Sequence, residues 1–234
     1  MVRLNGNGDD DSYRSAEITD SRVGELKSIA HCFYSIRFWQ FFFSLMLCHF
    51  SPTFFTYTFK TYGMDSQTHP PISDITLTWA ASLGAGVVNG VSRIFFGWLM
   101  DKVSFKKIYG FLTCVALVNA CVQYWAAWYP KLYFTCILVN YMYIGGCFAI
   151  MPTQVQNVFG LKQGPQIYVW VLLGSTLTAV LCLLATHFLI EMLSFAMVFY
   201  IGAMLEVVVL INLVFFFDEK LDTEHLIKMD ALVI

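Results

Sequence analysis

A long apolar run that ends in a short basic loop is the feature that most limits what this chain can fold into. The run covers residues 75–100 and contains a single charged side chain, that of Arg93. An apolar stretch longer than about 18 residues is typical of a helix that crosses a lipid bilayer. The loop that follows carries an Asp-Lys pair and then two further Lys residues. We therefore predict that two membrane-spanning helices are joined here by a tight basic loop.

Composition extends this prediction to the whole chain. Charged residues make up only 13% of the sequence, against about 25% in ordinary soluble domains. Six apolar segments each approach the roughly 20 residues that a spanning helix needs. They are residues 38–59, 75–100, 108–129, 132–152, 167–190 and 193–217. Because the segments are continuously apolar rather than alternating, we predict an all-α membrane protein whose six transmembrane helices form one bundle.

The ends of these segments set the domains and the orientation. We predict a polar, partly disordered cytosolic tail over residues 1–36, the bundle over 37–217 and a second cytosolic tail over 218–234. The fifth and sixth segments are separated by a turn placed at Glu191 and Met192. If both termini are inside, eleven Lys and Arg side chains lie on the inner side and two on the outer side. The positive-inside rule therefore predicts a multi-pass protein with both termini in the cytosol.

The second segment has one face that points to a binding function. Positions spaced by four place small and polar side chains in one row; they are Ala81, Ala85, Asn89, Arg93 and Gly97. Beside this row, Ser82, Gly86 and Gly90 form a ridge of small residues that would let another helix approach closely. A charge inside the hydrocarbon costs at least about 2.5 kcal/mol. Either Arg93 reaches the interface or caps helix carbonyls, or it faces a watery cavity and holds a carboxylate with two parallel hydrogen bonds.

Other polar side chains within the segments are weaker candidates for lining such a cavity. We include four of them as substrate-binding candidates: His49, Tyr57, Tyr141 and Thr178. For His49 the alternative is a packed, hydrogen-bonded side chain, and for Thr178 it is a bond to its own helix backbone. Glu206, at the centre of the sixth segment, is a functional candidate or a neutral, hydrogen-bonded acid, and we favour the second interpretation.

Sequence motifs for enzymatic chemistry do not occur. There is no phosphate-binding loop, no dinucleotide fingerprint and no zinc-ligand spacing in the sequence. We expect no enzymatic activity, no cofactor, no metal and no nucleic-acid partner.

The basic loop resembles the inner-loop motif of the major facilitator superfamily, which has a Gly, then Asp-Arg or Asp-Lys, then a basic pair. The matching residues are Gly97, Asp101, Lys102, Lys106 and Lys107. Within that superfamily the chain resembles the oxalate–formate antiporter and monocarboxylate transporter group, whose eighth helix carries a substrate Arg shortly before the motif. Asn89 and Arg93 stand at that place. Similar stretches are Arg37-Phe38-Trp39 and Phe159-Gly160, so the resemblance covers residues 37–217 and implies the carboxy-terminal of two six-helix bundles.

This resemblance implies a secondary active transporter, present as a half or fragment, that moves a small organic anion by alternating access. Asn89 stands where proton-coupled members often carry Asp, which favours the antiporter-like pattern. The fifth segment lacks the Lys of the oxalate antiporters, so the expected substrate is a monocarboxylate or a different small anion rather than a dianion. The basic loop is expected to gate the inner side. The expected partners are the lipid bilayer, the anion, and a second six-helix half or a second copy. The alternative is a six-span membrane protein that does not transport and serves as an assembly or partner-binding subunit.

Overall fold

The computed structural model describes residues 32–67, 69–160, 162–215 and 217. Both expected tails, except for residues 32–36, lie outside the described residues. The chain divides into two compact units, residues 1–40 and 41–234. In the described part of the first unit, the indole Nε1 of Trp39 donates a hydrogen bond to the carbonyl of Phe33 at 2.9 Å, and Arg37 Nη1 donates to Gln40 Oε1 at 3.0 Å.

Helices are the only regular secondary structure in the described residues, which contain no strand, as the all-α prediction requires. Eight α-helices follow one another in the described part of the chain: α1 (Ile36–Cys48), α2 (Phe50–Gly63), α3 (Asp74–Leu83), α4 (Asn89–Met100), α5 (Phe105–Ala126), α6 (Pro130–Phe159), α7 (Gly164–Leu184) and α8 (Ile190–Phe215). Two π-helical turns, Gly84–Val88 and Ala185–Leu189, join α3 to α4 and α7 to α8. Helices α5 and α8 form the most extensive pair.

Five helical stretches of the described chain are long and apolar enough to cross a membrane, so the predicted count of six is not confirmed. They are Asp74–Met100, Phe105–Ala126, Pro130–Phe159, Gly164–Leu189 and Met192–Phe215. The first predicted segment is instead divided at His49 into α1 and α2, of 13 and 14 residues. Pro52 accounts for this division, because it has no N–H to donate to the carbonyl of Cys48, four residues earlier.

The carbonyl that Pro52 leaves free is satisfied by a different helix. The Tyr143 hydroxyl of α6 donates to the Cys48 carbonyl at 3.2 Å. Asn140 Nδ2, one turn before Tyr143, donates to the carbonyl of Pro52 itself at 3.1 Å. These two polar side chains therefore stabilise the break between α1 and α2.

The turn between the fifth and sixth segments lies at Ser194. Its backbone takes φ 72° and ψ 157°, a conformation outside the helical region that non-glycine residues seldom adopt. The turn predicted at Glu191 and Met192 was therefore placed slightly too early. Ser194 lies inside α8, whose first turn therefore precedes the break in the backbone. The apolar pattern did not indicate that helical residues continue past Met192.

A buried cluster of aromatic rings holds four helices together at one end of the bundle. The Tyr62 ring lies 5.5 Å from Phe199 of α8 and stacks at 6.0 Å on Tyr124 of α5. Hydroxyl groups add directional bonds, because Tyr62 donates to the carbonyl of Tyr124 at 2.9 Å and Tyr133 donates to that of Phe59 at 2.8 Å. Buried aromatic side chains of this size are among the strongest contributors to core stability.

The second span packs on one side only. Gly84 lies against the ring of Tyr141 on α6. On the opposite side, nothing lies within 4 Å of the position that a Cβ would take at Gly86 or Gly90. The ridge of small residues predicted from the sequence is thus open in this chain, and no described helix packs into it. This open face is continuous with the face that carries Arg93, which is also exposed.

Candidate functional site

Asn89 and Arg93 form a hydrogen-bonded pair on α4. Arg93 Nε donates to Asn89 Oδ1 at 3.0 Å, across one helical turn. The terminal nitrogens of the guanidinium make no hydrogen bond within the described residues. Since an amide carries no charge, Asn89 orients the guanidinium without neutralising it. The arrangement presents a positively charged group with free, parallel N–H donors, which is the geometry that binds a carboxylate.

A π-helical turn directly before α4 sets the direction of this pair. The backbone N–H of Asn89 bonds to the carbonyl of Gly84, five residues earlier, instead of four. The extra residue rotates everything after it relative to α3. As a result Ala81 packs against the aromatic core while Arg93 is exposed. The single row predicted from spacings of four is therefore interrupted. Single-turn π-bulges of this kind are frequent at functional sites.

Gly145 of α6 lets α4 approach closely behind the pair. A Cβ at Gly145 would lie 2.5 Å from the carbonyl oxygen of Asn89 and would also collide with the hydroxyl of Ser92. That same carbonyl accepts a hydrogen bond from the Ser92 hydroxyl at 2.8 Å. Any larger side chain at Gly145 would push α4 outward and move Asn89 with it.

Two aromatic residues that the sequence analysis did not identify complete the surroundings of Arg93. The guanidinium carbon of Arg93 lies 5.5 Å from the centroid of the Phe148 ring, within cation–π range. Tyr168 of α7 lies within electrostatic range of Arg93. Phe148 follows Gly145 by three residues and so shares its helix face. That spacing was a usable signal for Phe148, whereas no sequence signal places Tyr168 near Arg93.

His49 lies inside the bundle and also contacts Phe148. The two rings are 5.2 Å apart. His49 Nδ1 is 3.0 Å from the carbonyl of Leu45, and the residue is 1% exposed. Its Nε2 is buried and has no partner among the described residues. His49 therefore occupies a packed, hydrogen-bonded position of the kind given as its alternative interpretation.

Within the described residues, no hydrogen bond, ion pair or ring contact joins the remaining substrate-binding candidates to Arg93. The Thr178 hydroxyl is fully buried and faces two carbonyls, that of Gly174 in its own helix and that of Met46 in α1. Tyr141 is partly buried and packs over Gly84. Tyr57 is 42% exposed on α2. Thr178 thus has the backbone-bonded role that was its alternative interpretation.

The basic loop contacts the end of α8. Lys106 Nζ donates to the carbonyls of Val214 and Phe217 at 3.1 and 2.9 Å. A cation at a helix C-terminus satisfies carbonyls that have no intrahelical partner and interacts favourably with the helix dipole. This capping contact was not predicted.

The other members of the predicted gating motif lie close to the surface. Lys102 Nζ lies 4.0 Å from the Trp98 ring centroid. Asp101 follows the last residue of α4 and is exposed, as is Lys107. The Asp101 carboxylate makes no hydrogen bond or ion pair with the described residues. Gly97 has open space around it. Within the described part of the chain, Lys106 is thus the one motif residue whose side chain donates hydrogen bonds to the end of another helix.

The described residues contain no group of three or more His, Cys, Asp or Glu side chains that could hold a metal ion.

Comparison with known proteins identifies the family of the chain. The model of the family described as Major Facilitator Superfamily matches residues 28–231. No curated protein sequence matches the chain.

Proposed function

Since the chain belongs to the major facilitator superfamily, a family of membrane transporters, we propose that it forms one bundle of a secondary active transporter for a small monocarboxylate. The observation that carries the proposal is the hydrogen-bonded pair of Arg93 and Asn89 on an open helix face. The guanidinium has five N–H donors, of which the one on Nε is used by Asn89. The two terminal nitrogens remain to bind the two oxygens of a carboxylate.

The surroundings of Arg93 favour an anion with one carboxylate and a small apolar part. Phe148 offers an apolar ring beside the guanidinium, and Tyr168 offers a hydroxyl nearby. The fifth segment, residues 167–190, carries no Lys or Arg that could bind a second carboxylate. A dianion would therefore leave one charge unpaired, which is costly away from water.

Alternating access requires a second wall opposite Arg93. The open face at Gly86 and Gly90 has room for a helix backbone to approach closely, because neither position has a neighbour within 4 Å. We propose that a second six-helix bundle, either an amino-terminal half or a second copy, packs against this face. Contact of the exposed Arg93 with lipid would otherwise be costly.

Uptake of labelled small monocarboxylates into proteoliposomes tests the proposed function. The chain is reconstituted alone and together with an amino-terminal six-helix half. We expect uptake in the second case, a loss of about tenfold to a hundredfold in Arg93→Lys, and no uptake in Arg93→Leu, because a hydrogen bond to a charged group contributes about 1.5–3 kcal/mol. Lys131→Leu, which removes an exposed charge at the other end of the bundle, is the control. Uptake by Arg93→Leu at the wild-type rate would refute the proposal.

A further inference from the structure

Glu206 is a buried acid that the anion site does not use. It lies on α8, twelve residues after the turn at Ser194, so about 18 Å into the span at 1.5 Å per residue. Its side chain is 0% exposed. Neither carboxyl oxygen has a hydrogen-bond partner among the described residues. A buried polar group without a partner is rare in proteins and calls for an explanation.

Within the described part of the chain, no Lys, Arg or His side chain is among the groups in electrostatic range of Glu206. Those within electrostatic range come from the three helices α1, α5 and α6, and they are Cys48, Tyr109, Tyr143 and Cys147. Both tyrosine hydroxyls already donate to backbone carbonyls, Tyr109 to Ser44 and Tyr143 to Cys48. An ionised carboxylate in such surroundings would be neither paired nor solvated, which costs several kcal/mol. Glu206 is therefore a neutral carboxylic acid in this conformation.

A narrow cleft is lined in part by Ser51, which packs against the helix that carries Glu206. Gly202 precedes Glu206 by four residues, and a Cβ there would lie 2.9 Å from Cβ of Ser51 on α2. Ser51 lines the cleft between α2, α5 and α6 together with Asn119, Asn140, Tyr143 and Gln123. The side-chain oxygen of Gln123 is buried there without a partner among the described residues. The cleft thus leads from the neighbourhood of Glu206 to the last turn of α5.

We propose that Glu206 is a proton-binding site whose ionisation is linked to the conformation of the bundle. In the conformation described here the carboxyl O–H bond is intact and the cleft is closed. When the helices separate along the cleft and water enters, the O–H bond breaks, the proton passes to a water molecule to form hydronium, and the carboxylate remains. The hydroxyls of Tyr109 and Tyr143 can then turn from their carbonyls to the carboxylate. The ligand of this site is a proton, and the proposal does not depend on Arg93 binding an anion.

The pH dependence of stability tests this site without any substrate. Glu206→Gln keeps the shape of the side chain but cannot ionise. The folded wild type holds a proton that an unfolded chain releases at neutral pH, so above the pH at which an unfolded carboxyl ionises its unfolding equilibrium constant should rise with pH relative to that of the variant, by up to about tenfold per pH unit. Parallel profiles for the wild type and Glu206→Gln would overturn the proposal.

Infrared spectroscopy of the purified wild type provides a second test that needs no variant to fold. At pH 8 exposed carboxyl groups are ionised. A carbonyl band of a protonated carboxylic acid is therefore expected from Glu206, and it should persist in Glu206→Asp and vanish in Glu206→Gln. Absence of this band from the folded wild type would also overturn the proposal.

Discussion

Arg93 Nε and Asn89 Oδ1 are 3.0 Å apart, with the amide one helical turn before the guanidinium. The bond uses the N–H of Nε and leaves the two terminal nitrogens of the guanidinium without a hydrogen bond among the described residues. Asn89 is an uncharged partner, so the positive charge of Arg93 remains available to an anion. Both residues lie after a π-helical turn, and Gly145 fixes the distance of their helix from α6.

The charge at position 89 should decide whether Arg93 can bind an anion. Asn89→Asp would place a carboxylate against the guanidinium and pair its charge internally. We expect monocarboxylate uptake to fall at least tenfold, because a competing ion pair replaces a neutral hydrogen bond. Asn89→Ala loses the hydrogen bond but keeps the free charge, and it should lose less activity. Equal uptake by Asn89→Asp and the wild type, at equal membrane insertion, would contradict this role of the pair.

Gly145 should be intolerant of a side chain. Gly145→Ala forces a Cβ to within 2.5 Å of the Asn89 carbonyl, and overpacking of this kind costs about 1–3 kcal/mol. Thermal unfolding of the purified chain measures the loss. Gly90→Ala is the matched control, since nothing lies within 4 Å of that position in this chain. The packing described here would be incorrect if the two variants were equally stable.

Gly90→Ala should behave differently when a second bundle is present. If a helix of the partner packs against the open face, an added methyl group at Gly90 weakens that contact while leaving the isolated chain unaffected. Co-purification of the chain with an amino-terminal half measures the effect. Unchanged association in Gly90→Ala and in the larger Gly90→Leu would place the contact on another face.

Lys106 should contribute to stability through α8. Lys106→Met keeps much of the aliphatic stem but removes the ammonium that binds the carbonyls of Val214 and Phe217. We expect a loss of about 1 kcal/mol in the free energy of unfolding, typical of a cation at a helix C-terminus. Lys107→Met, at an exposed side chain, should change stability by less than about 0.5 kcal/mol. Identical unfolding of the two variants would show that the capping contact is not important.

His69 should hold the connection between α2 and α3. Its ring nitrogens lie 3.0 Å from the carbonyl of Pro70 and 2.8 Å from that of Tyr62, and the residue is 4% exposed. His69→Ala leaves the carbonyl of Tyr62 without this partner, which costs about 1–3 kcal/mol locally. Faster amide hydrogen exchange in residues 62–73 is the expected result. His187→Ala, at an exposed histidine, serves as the control and should leave that exchange unchanged.

Much of the fold could be predicted from the sequence, because apolar length alone identifies spanning helices. The count of six was not confirmed at the first segment, where the effect of Pro52 on the backbone divides one apolar run into two helices. Ser194 shows a similar limit, since Glu191 and Met192 indicated that the apolar stretch is interrupted here but not the residue at which the backbone leaves the helical conformation.

The candidate site was predictable only within one helix. Spacing by four correctly placed Asn89 beside Arg93, because that contact is local. The approach of Phe148 and Tyr168 depends on how three helices pack, and the π-helical turn before Asn89 has no recognised sequence pattern. The roles of these residues in substrate binding remain predictions.

Binding of small monocarboxylates to the purified chain, measured by calorimetric titration, tests the central proposal most directly. The proposal predicts saturable binding by the wild type, binding about tenfold to a hundredfold weaker in Arg93→Lys, and none in Arg93→Leu, with all three proteins folded to the same extent. Binding to Arg93→Leu with the affinity of the wild type would contradict it.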